Sequence, residues 1–364
     1  MPCYHPLLRV LSPTSVHPET GKPIGYVVPF PPDLRPGIDA HVKFMDGFPK
    51  WAIPCGPDEG FEYQTIPCGK CMGCRLEYSR QWANRCLLEL EYHDSAYFVT
   101  LTYNDYAVPR AYYADPDTGS AEVALTLNPR DVTLFLKRLR KKFPSDTIRY
   151  FYCGEYGPNT WRPHYHLILF GLHLDDLHYA GTRRGNNYYK SPSLERLWSH
   201  TQEYTDLEGK TCVTPLASMG FVEVMDVTWE TCAYTARYIM KKLKGSESEF
   251  YDRFNLVPPF VRMSRKPGLA RQWYEDHPDI NEYEYINLKT PTGGKKFRPP
   301  HYYDDLFDID HPEESAELKA ARQKMCLESI KAKLERTDLS YLEYMQVEEN
   351  KLLSRIKSLK REEI

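Results

Sequence analysis

The sequence predicts an α+β fold: an antiparallel β-sheet with helices on one face, an N-terminal cysteine cluster and C-terminal helices. Three observations carry this reading. Four segments are rich in β-branched and aromatic residues: "SAYFVTLTY" (95–103), "TIRYFYCGEYG" (147–157), "RPHYHLILFG" (162–171) and "GFVEVMDV" (220–227). Two segments carry helical spacing, "PRDVTLFLKRLRKKF" (129–143) and "TWETCAYTARYIMKKLKG" (228–245). Their order is strand, helix, strand, strand, strand, helix. The second and third strands lie close enough in sequence to form an antiparallel hairpin across the turn "PNTW" (158–161).

Residues 1–94 open with a proline-rich stretch of weak periodicity, expected as an irregular arm with short extended pieces. A cysteine cluster and a helix over about 75–91 follow, with Leu76, Trp82, Ala83, Leu87 and Leu90 near helical spacing. Residues 95–245 form the expected core. After its first strand comes a long loop, 104–127, with the turn signal "DPDTG". Asn128 is placed to cap the next helix, with Pro129 at its first position and Val132, Phe135, Leu136 and Leu139 as its buried stripe. A polar insert spans 174–218 before the fourth strand. Residues 246–310 read as an irregular basic and aromatic extension with a short helix after Pro267, and 311–364 as a charged helical tail lying against solvent.

The charged fraction is 27% and the hydrophobic fraction 41%, ordinary for a globular protein. No apolar run reaches bilayer length, and "MPCYHPLLRV" has no signal-peptide core, so no membrane association is expected. The net charge of −3 does not by itself announce a nucleic-acid partner, but "KRLRKKF" (137–143) and "YIMKKLKG" (238–245) are locally basic. Ten cysteines without a secretory signal favour a reducing compartment and metal binding over disulfides.

The candidate chemistry starts at His164 and His166. Alternation on a strand sends both imidazoles to one face, with Leu167 and Leu169 on the other. Across the expected hairpin, Glu155 can join that face. Two imidazoles and a carboxylate suit a divalent cation with open positions. On the last core helix Tyr234, Tyr238 and Lys242 recur at i, i+4 and i+8 and share one side. A phenolate is a competent nucleophile when its charge is stabilised, so metal and tyrosine together suggest phosphoryl transfer. Separately, Cys68, Cys71 and Cys74 form C-x-x-C-x-x-C, a spacing for structural zinc, with Gly69 and Gly73 permitting tight turns. Cys3, Cys55 and Cys86 are the available fourth ligands, with Cys3 favoured; an iron–sulfur cluster is the alternative.

These motifs resemble the HUH endonuclease superfamily, in its Rep-type rolling-circle initiators. "FVTLTY" (98–103), "PHYHLILFG" (163–171) and "YTARYIMKK" (234–242) look like its three motifs, in its Rep order with tyrosines after the histidine pair. Tyr165 stands where the second motif is normally a bulky apolar residue. The segments "PCGKCMGCRLEYSRQWANRC", "RPHYHLILFG", "YTARYIMKK" and "MSRKPG" further resemble the replication initiators of gokushoviruses, over about 60–275.

The resemblance implies a palm-like HUH core and an enzyme that nicks and rejoins single-stranded or hairpin origin DNA. His164, His166 and Glu155 would hold Mg²⁺ or Mn²⁺, and Tyr238 or Tyr234 would attack, with Tyr238–Lys242 also fitting the one-tyrosine form. The products would be a 5′-phosphotyrosine and a 3′-OH that primes synthesis. It also implies host replication partners, a polymerase and a helicase, in the host bacterial cytoplasm. The basic face of the 129–143 helix, Arg265 and Lys266 are candidate DNA contacts. Two other readings stand beside this one: a non-enzymatic zinc-dependent nucleic-acid-binding protein, and an HUH-type transposase.

Overall fold

A five-stranded sheet and a seven-stranded sheet organise the chain in the computed structural model. It describes residues 3–18, 23–45, 50–56, 59–115, 118–183, 185–201, 203–205, 209–214, 216–237, 248–290 and 293–358. In chain order come β1 (Leu7–Val16), β2 (Pro23–Pro29), β3 (His41–Phe44), β4 (Ala52–Cys55), β5 (Phe61–Ile66), α1 (Met72–Leu90), β6 (Ala96–Thr102), β7 (Arg110–Ala114), β8 (Ala121–Leu125) and α2 (Pro129–Lys142). Then follow β9 (Arg149–Tyr156), β10 (Pro163–Phe170), β11 (His178–Arg183), β12 (Asn186–Lys190) and α3 (Pro192–Leu197). Four short strands, β13 (Ser199–His200), β14 (Glu203–Thr205), β15 (Thr211–Val213) and β16 (Ala217–Ser218), lead to β17 (Val222–Asp226) and α4 (Trp229–Arg237). The last elements are α5 (Glu249–Arg253), β18 (Phe260–Met263), α6 (Arg271–Asp276), β19 (Ile286–Thr290), β20 (Gly293–Phe297), α7 (His301–Asp310), α8 (Pro312–Leu334) and α9 (Tyr341–Ser358).

The chain divides into two units, residues 1–77 with 301–364, and residues 78–300. In the first, the strand order is β2-β1-β5-β3-β4. Residues expected as an irregular arm are therefore a sheet. Pro23 and Pro29 sit at the ends of the edge strand β2, Pro54 lies in the edge strand β4, and Pro13 falls where the register of β1 shifts; such positions tolerate proline, and the prolines mask the strand pattern. The tail is not a solvated appendage either. Tyr341 and Met345 of α9 enter the same core as Leu8, Val10, Val28 and Val42, with Ile330 and Leu334 of α8 packed against it. His5 Nε2 meets Glu349 Oε2 at 2.6 Å, joining chain start to α9.

In the second unit the order is β11-β12-β17-β6-β10-β9-β18, with antiparallel pairing throughout. The expected hairpin of β9 and β10 lies near its centre. The regions expected as loop and insert contribute the β7–β8 hairpin and the β11–β12 sheet edge. The expected irregular extension contributes β18 at the other edge.

The α+β class is as the sequence predicts, while the helices line two faces of the sheet rather than one. Leu167 and Leu169 pack with Val132, Phe135, Leu136 and Leu139 of α2. Ile168 and Phe170 pack with Ala83 and Cys86 of α1 and Cys232, Ala233 and Ala236 of α4. Both alternating sets along β10 are large and apolar beyond His166, so each needs its own cover. Asn128 caps α2 through its side chain, which accepts from Arg130 N–H, and Pro129 follows it. Tyr165 is fully buried, and its hydroxyl donates to the Asn128 carbonyl (3.0 Å) and accepts from the Asn128 N–H (2.8 Å). A tyrosine thus fills the bulky apolar position without leaving its polar atom unpaired. Beneath it the backbone of Gly154 comes close: a Cβ there would lie 2.9 Å from the Phe260 ring and 3.0 Å from Tyr165.

Candidate functional site

Register builds the site. His164 on β10 stands directly opposite Glu155 on β9, and His166 opposite Cys153. On the other side of β10, His166 faces Thr100 of β6. Glu155, His164 and His166 therefore share one face, and their ligand atoms all lie within 4.8 Å of one another. His164 Nε2 is 2.7 Å and His166 Nε2 3.3 Å from the same oxygen, Glu155 Oε1. The carboxylate side chain is only 2% exposed and that of His166 7%, while His164 is 19% exposed, so the site opens to solvent on the His164 side.

The second nitrogen of each imidazole is also held. His166 Nδ1 is hydrogen-bonded to Thr100 Oγ1 at 3.0 Å. His164 Nδ1 donates to the Arg162 carbonyl at 3.1 Å. A carbonyl only accepts, so the neutral His164 tautomer carries its proton on Nδ1. Its Nε2 lone pair then faces a carboxylate. Either a second proton or a cation must lie between them. Burial alone would raise the Glu155 carboxyl, but the hydrogen bonds and charge of the two histidines outweigh it and hold it at about 2. The donor set is thus two oriented imidazoles and an ionised carboxylate, which fits a divalent cation with open positions.

Around this triad, Phe98 stacks on His166, with centroids 5.5 Å apart and planes 16° from parallel. Tyr234 of α4 meets the His166 ring edge-on at 5.2 Å. The tyrosine helix therefore lies on the face of the sheet that carries the triad. Tyr238 and Lys242 fall outside the described residues. The basic helix α2 packs under the opposite face, so its cations do not share the surface of the triad. Arg265 lies near the end of the sheet where Ser264 bonds Tyr150. That is five residues along β9 from Glu155, about 17 Å at the usual strand rise.

Cys3, Cys68, Cys71 and Cys74 converge in the first unit, their sulfur atoms again within 4.8 Å of one another. Gly69 has φ +69°, a conformation that lets the chain fold back between the first two knuckle cysteines. Backbone N–H groups point at the sulfurs: Cys68 donates to Cys3 (3.2 Å), Lys70 and Cys71 to Cys68 (3.4 and 3.3 Å), and Tyr4 to Cys71 (3.4 Å). Burial opposes ionisation of Cys71, yet donors from Cys74 and Tyr4 hold it down to about 7. Burial pushes Cys74 up to about 11 and raises Cys3 as well. A cation bound among the four sulfurs would hold all of them as thiolates, and the set matches a four-cysteine metal site. Cys86 is instead buried in the apolar core of the second unit, against Cys232.

Phe98 and Thr100 lie in the segment 98–103 that resembles the first motif, but the sequence assigned no role to either of them or to the Arg162 carbonyl. Phe98 and Thr100 alternate on β6 as the histidines do on β10. Only the strand register shows that they meet.

Residues 96–243 match the family described as Replication-associated protein ORF2/G2P. The chain is 30% identical to the Replication-associated protein ORF2 of Spiroplasma virus 4, over 82% of this chain and 85% of that protein. It is 30% identical to the Replication-associated protein VP4 of Bdellovibrio phage phiMH2K, over 70% of this chain and 71% of that one. Against the Replication-associated protein ORF4 of Chlamydia phage 1 the identity is 26%, over 49% and 38%. No solved structure matches the chain.

Proposed function

The chain belongs to the replication-associated protein ORF2/G2P family of microvirus replication proteins, and on that premise we propose that it initiates rolling-circle replication by nicking one strand of viral DNA and later rejoining the ends. The observation that supports this most strongly is the convergence of Glu155, His164 and His166 beside the ring of Tyr234. Mg²⁺ or Mn²⁺ held by these three side chains would polarise the scissile phosphoryl oxygen.

The protein's own residues supply the rest. Thr100 and the Arg162 carbonyl fix both imidazole rings, so the site is organised before DNA arrives. The hydroxyl oxygen of Tyr234 or Tyr238 attacks the phosphorus. A tyrosine–phosphate bond forms as the bond to the 3′ oxygen breaks, and the phenolic proton is balanced by the proton gained at that oxygen. The products are a 5′-phosphotyrosine and a free 3′-OH. The covalent link conserves the phosphodiester energy, so the reverse attack rejoins the ends without a nucleotide cofactor. Lys242 would balance phosphate charge.

The cysteine centre would carry structural Zn²⁺. The 3′-OH would be extended by a host polymerase, with a host helicase, in the bacterial cytoplasm. Among the described residues no helix is long and apolar enough to cross a membrane.

The test is incubation with the circular single-stranded viral genome and Mn²⁺. Linear DNA carrying bound protein, absent when EDTA is added, is the expected result. DNA that stays circular under all metal conditions would reject the reading.

A further inference from the structure

The turn between β9 and β10 holds a feature that the metal face does not use. Trp161 sits there with φ +53°, a conformation bulky residues seldom adopt. Its N–H donates to the Gly157 carbonyl (3.1 Å), and Gly157 N–H donates to the Arg162 carbonyl (2.9 Å). Its indole rests near Tyr156 (5.7 Å) and Phe250 (5.2 Å), yet remains 46% exposed. Beside it is a cavity of about 170 Å³, lined by Glu155, Tyr156, Gly157, Trp161, Tyr251 and Pro259. A cavity of roughly 150 Å³ is enough for one benzene ring. The same turn abuts the triad: a Cβ on Gly157 would lie 3.8 Å from His164 Cε1.

We propose that this cavity takes one nucleobase of the substrate strand, stacked on Trp161, next to the phosphate that lies at Glu155, His164 and His166. The inference rests on the reading that the substrate is single-stranded DNA. Three features support it. Tyr156 and Tyr251 belong to the core on the α2 side, so the cavity lies around the hairpin end from the triad, next to it through Glu155 and Gly157; a strand crossing the turn can seat a base there and a neighbouring phosphate at the triad. Three of its lining side chains are aromatic, Tyr156, Trp161 and Tyr251, with Pro158 and Pro259 beside them, suited to the face of a base. The positive φ keeps a large indole at the mouth of the cavity, where a glycine would suit the backbone better. Trp161 is a binding and positioning residue here, one that fixes which phosphodiester meets the metal face.

The probe is a set of single-stranded oligonucleotides tiled along the viral strand, with 5-iododeoxyuridine replacing successive thymidines. They are irradiated on the full-length protein, and the crosslinked peptide is identified by mass spectrometry. Binding is measured in parallel by fluorescence anisotropy. Trp161 is expected to carry the crosslink. Trp161→Gly, which suits the backbone conformation and so keeps the fold, should lose it and bind about tenfold to a hundredfold more weakly, the range found for removing a stacking aromatic. Trp161→Phe should retain most of the binding. Crosslinks elsewhere with Trp161 unlabelled, or a Trp161→Gly protein that binds as the wild type does, would overturn the proposal. Neither readout needs cleavage. A Trp161 crosslink without any tyrosine adduct would instead count against the nicking reaction alone.

Discussion

At the scale of single residues, the two histidines were legible because alternation is local: positions 164 and 166 must share a face in any strand. Glu155 was legible because its hairpin is short, and the register places it opposite His164. Thr100 was not, since its partner His166 lies 66 residues away, and no local pattern shows which strand lies beside β10. The contribution of Thr100 can be measured. Thr100→Val should lower Mn²⁺ affinity by about tenfold, as loss of such a supporting bond typically does, when read by metal titration on the DNA-free protein. Glu155→Gln, which removes a ligand charge outright, should reduce nicking by about a hundredfold or more.

A second buried carboxylate tests stability rather than chemistry. Glu89 of α1 accepts from Ala270 N–H (2.6 Å), bonds His93 Nε2 (3.0 Å) and pairs with Arg149. Burial opposes its ionisation, but these partners hold its carboxyl below the usual range. A lowered folded-state pKa contributes stability that is present above the unfolded pKa, about 4.3, and is lost as pH falls through the folded value. Urea melts should therefore show the wild type losing this increment on acidification. Glu89→Gln, about 3 kcal/mol less stable at neutral pH, should lack it.

At the scale of elements, the sequence was most readable where periodicity and punctuation agree. Helix α2 begins at Pro129 and ends at Lys142 because Asn128 caps it and Pro144 closes off its continuation. Asn128→Ala should cost about 1 kcal/mol in the same melts, with nicking unchanged at saturating DNA, because α2 lies under the face away from the triad. Elements whose patterns need a partner were the ones missed. In β2 and β4 the prolines hide the alternation. The β7–β8 pair joins across a turn that reads simply as loop. The face that each helix takes was also illegible: α1, α2 and α4 all carry apolar stripes, and only the sheet order assigns α2 to one side and the other two to the opposite one.

At the scale of the whole molecule, two units carry two different candidate metal-binding sets. The four cysteines lie in the first, and the triad lies in the second. The first unit joins the chain's beginning to its end, which sequence reading misses because Cys3 and Tyr341 are far apart along the chain. A metal held by its four cysteines should therefore support folding, whereas one held by the triad should support reaction. Cys71→Ser is expected to remove about one zinc per chain by elemental analysis and to lower the melting temperature. A protein with strong visible absorbance would indicate an iron–sulfur centre instead.

The central claim is that a tyrosine on the metal face becomes covalently bound to DNA. Its most direct measurement is peptide mapping of the protein after incubation with single-stranded viral DNA and Mn²⁺. A nucleotide-bearing phosphotyrosine at Tyr234 or Tyr238, absent with EDTA and abolished when both are phenylalanine, is the predicted result. Undiminished covalent product in that double variant, or an adduct on another residue, would contradict it.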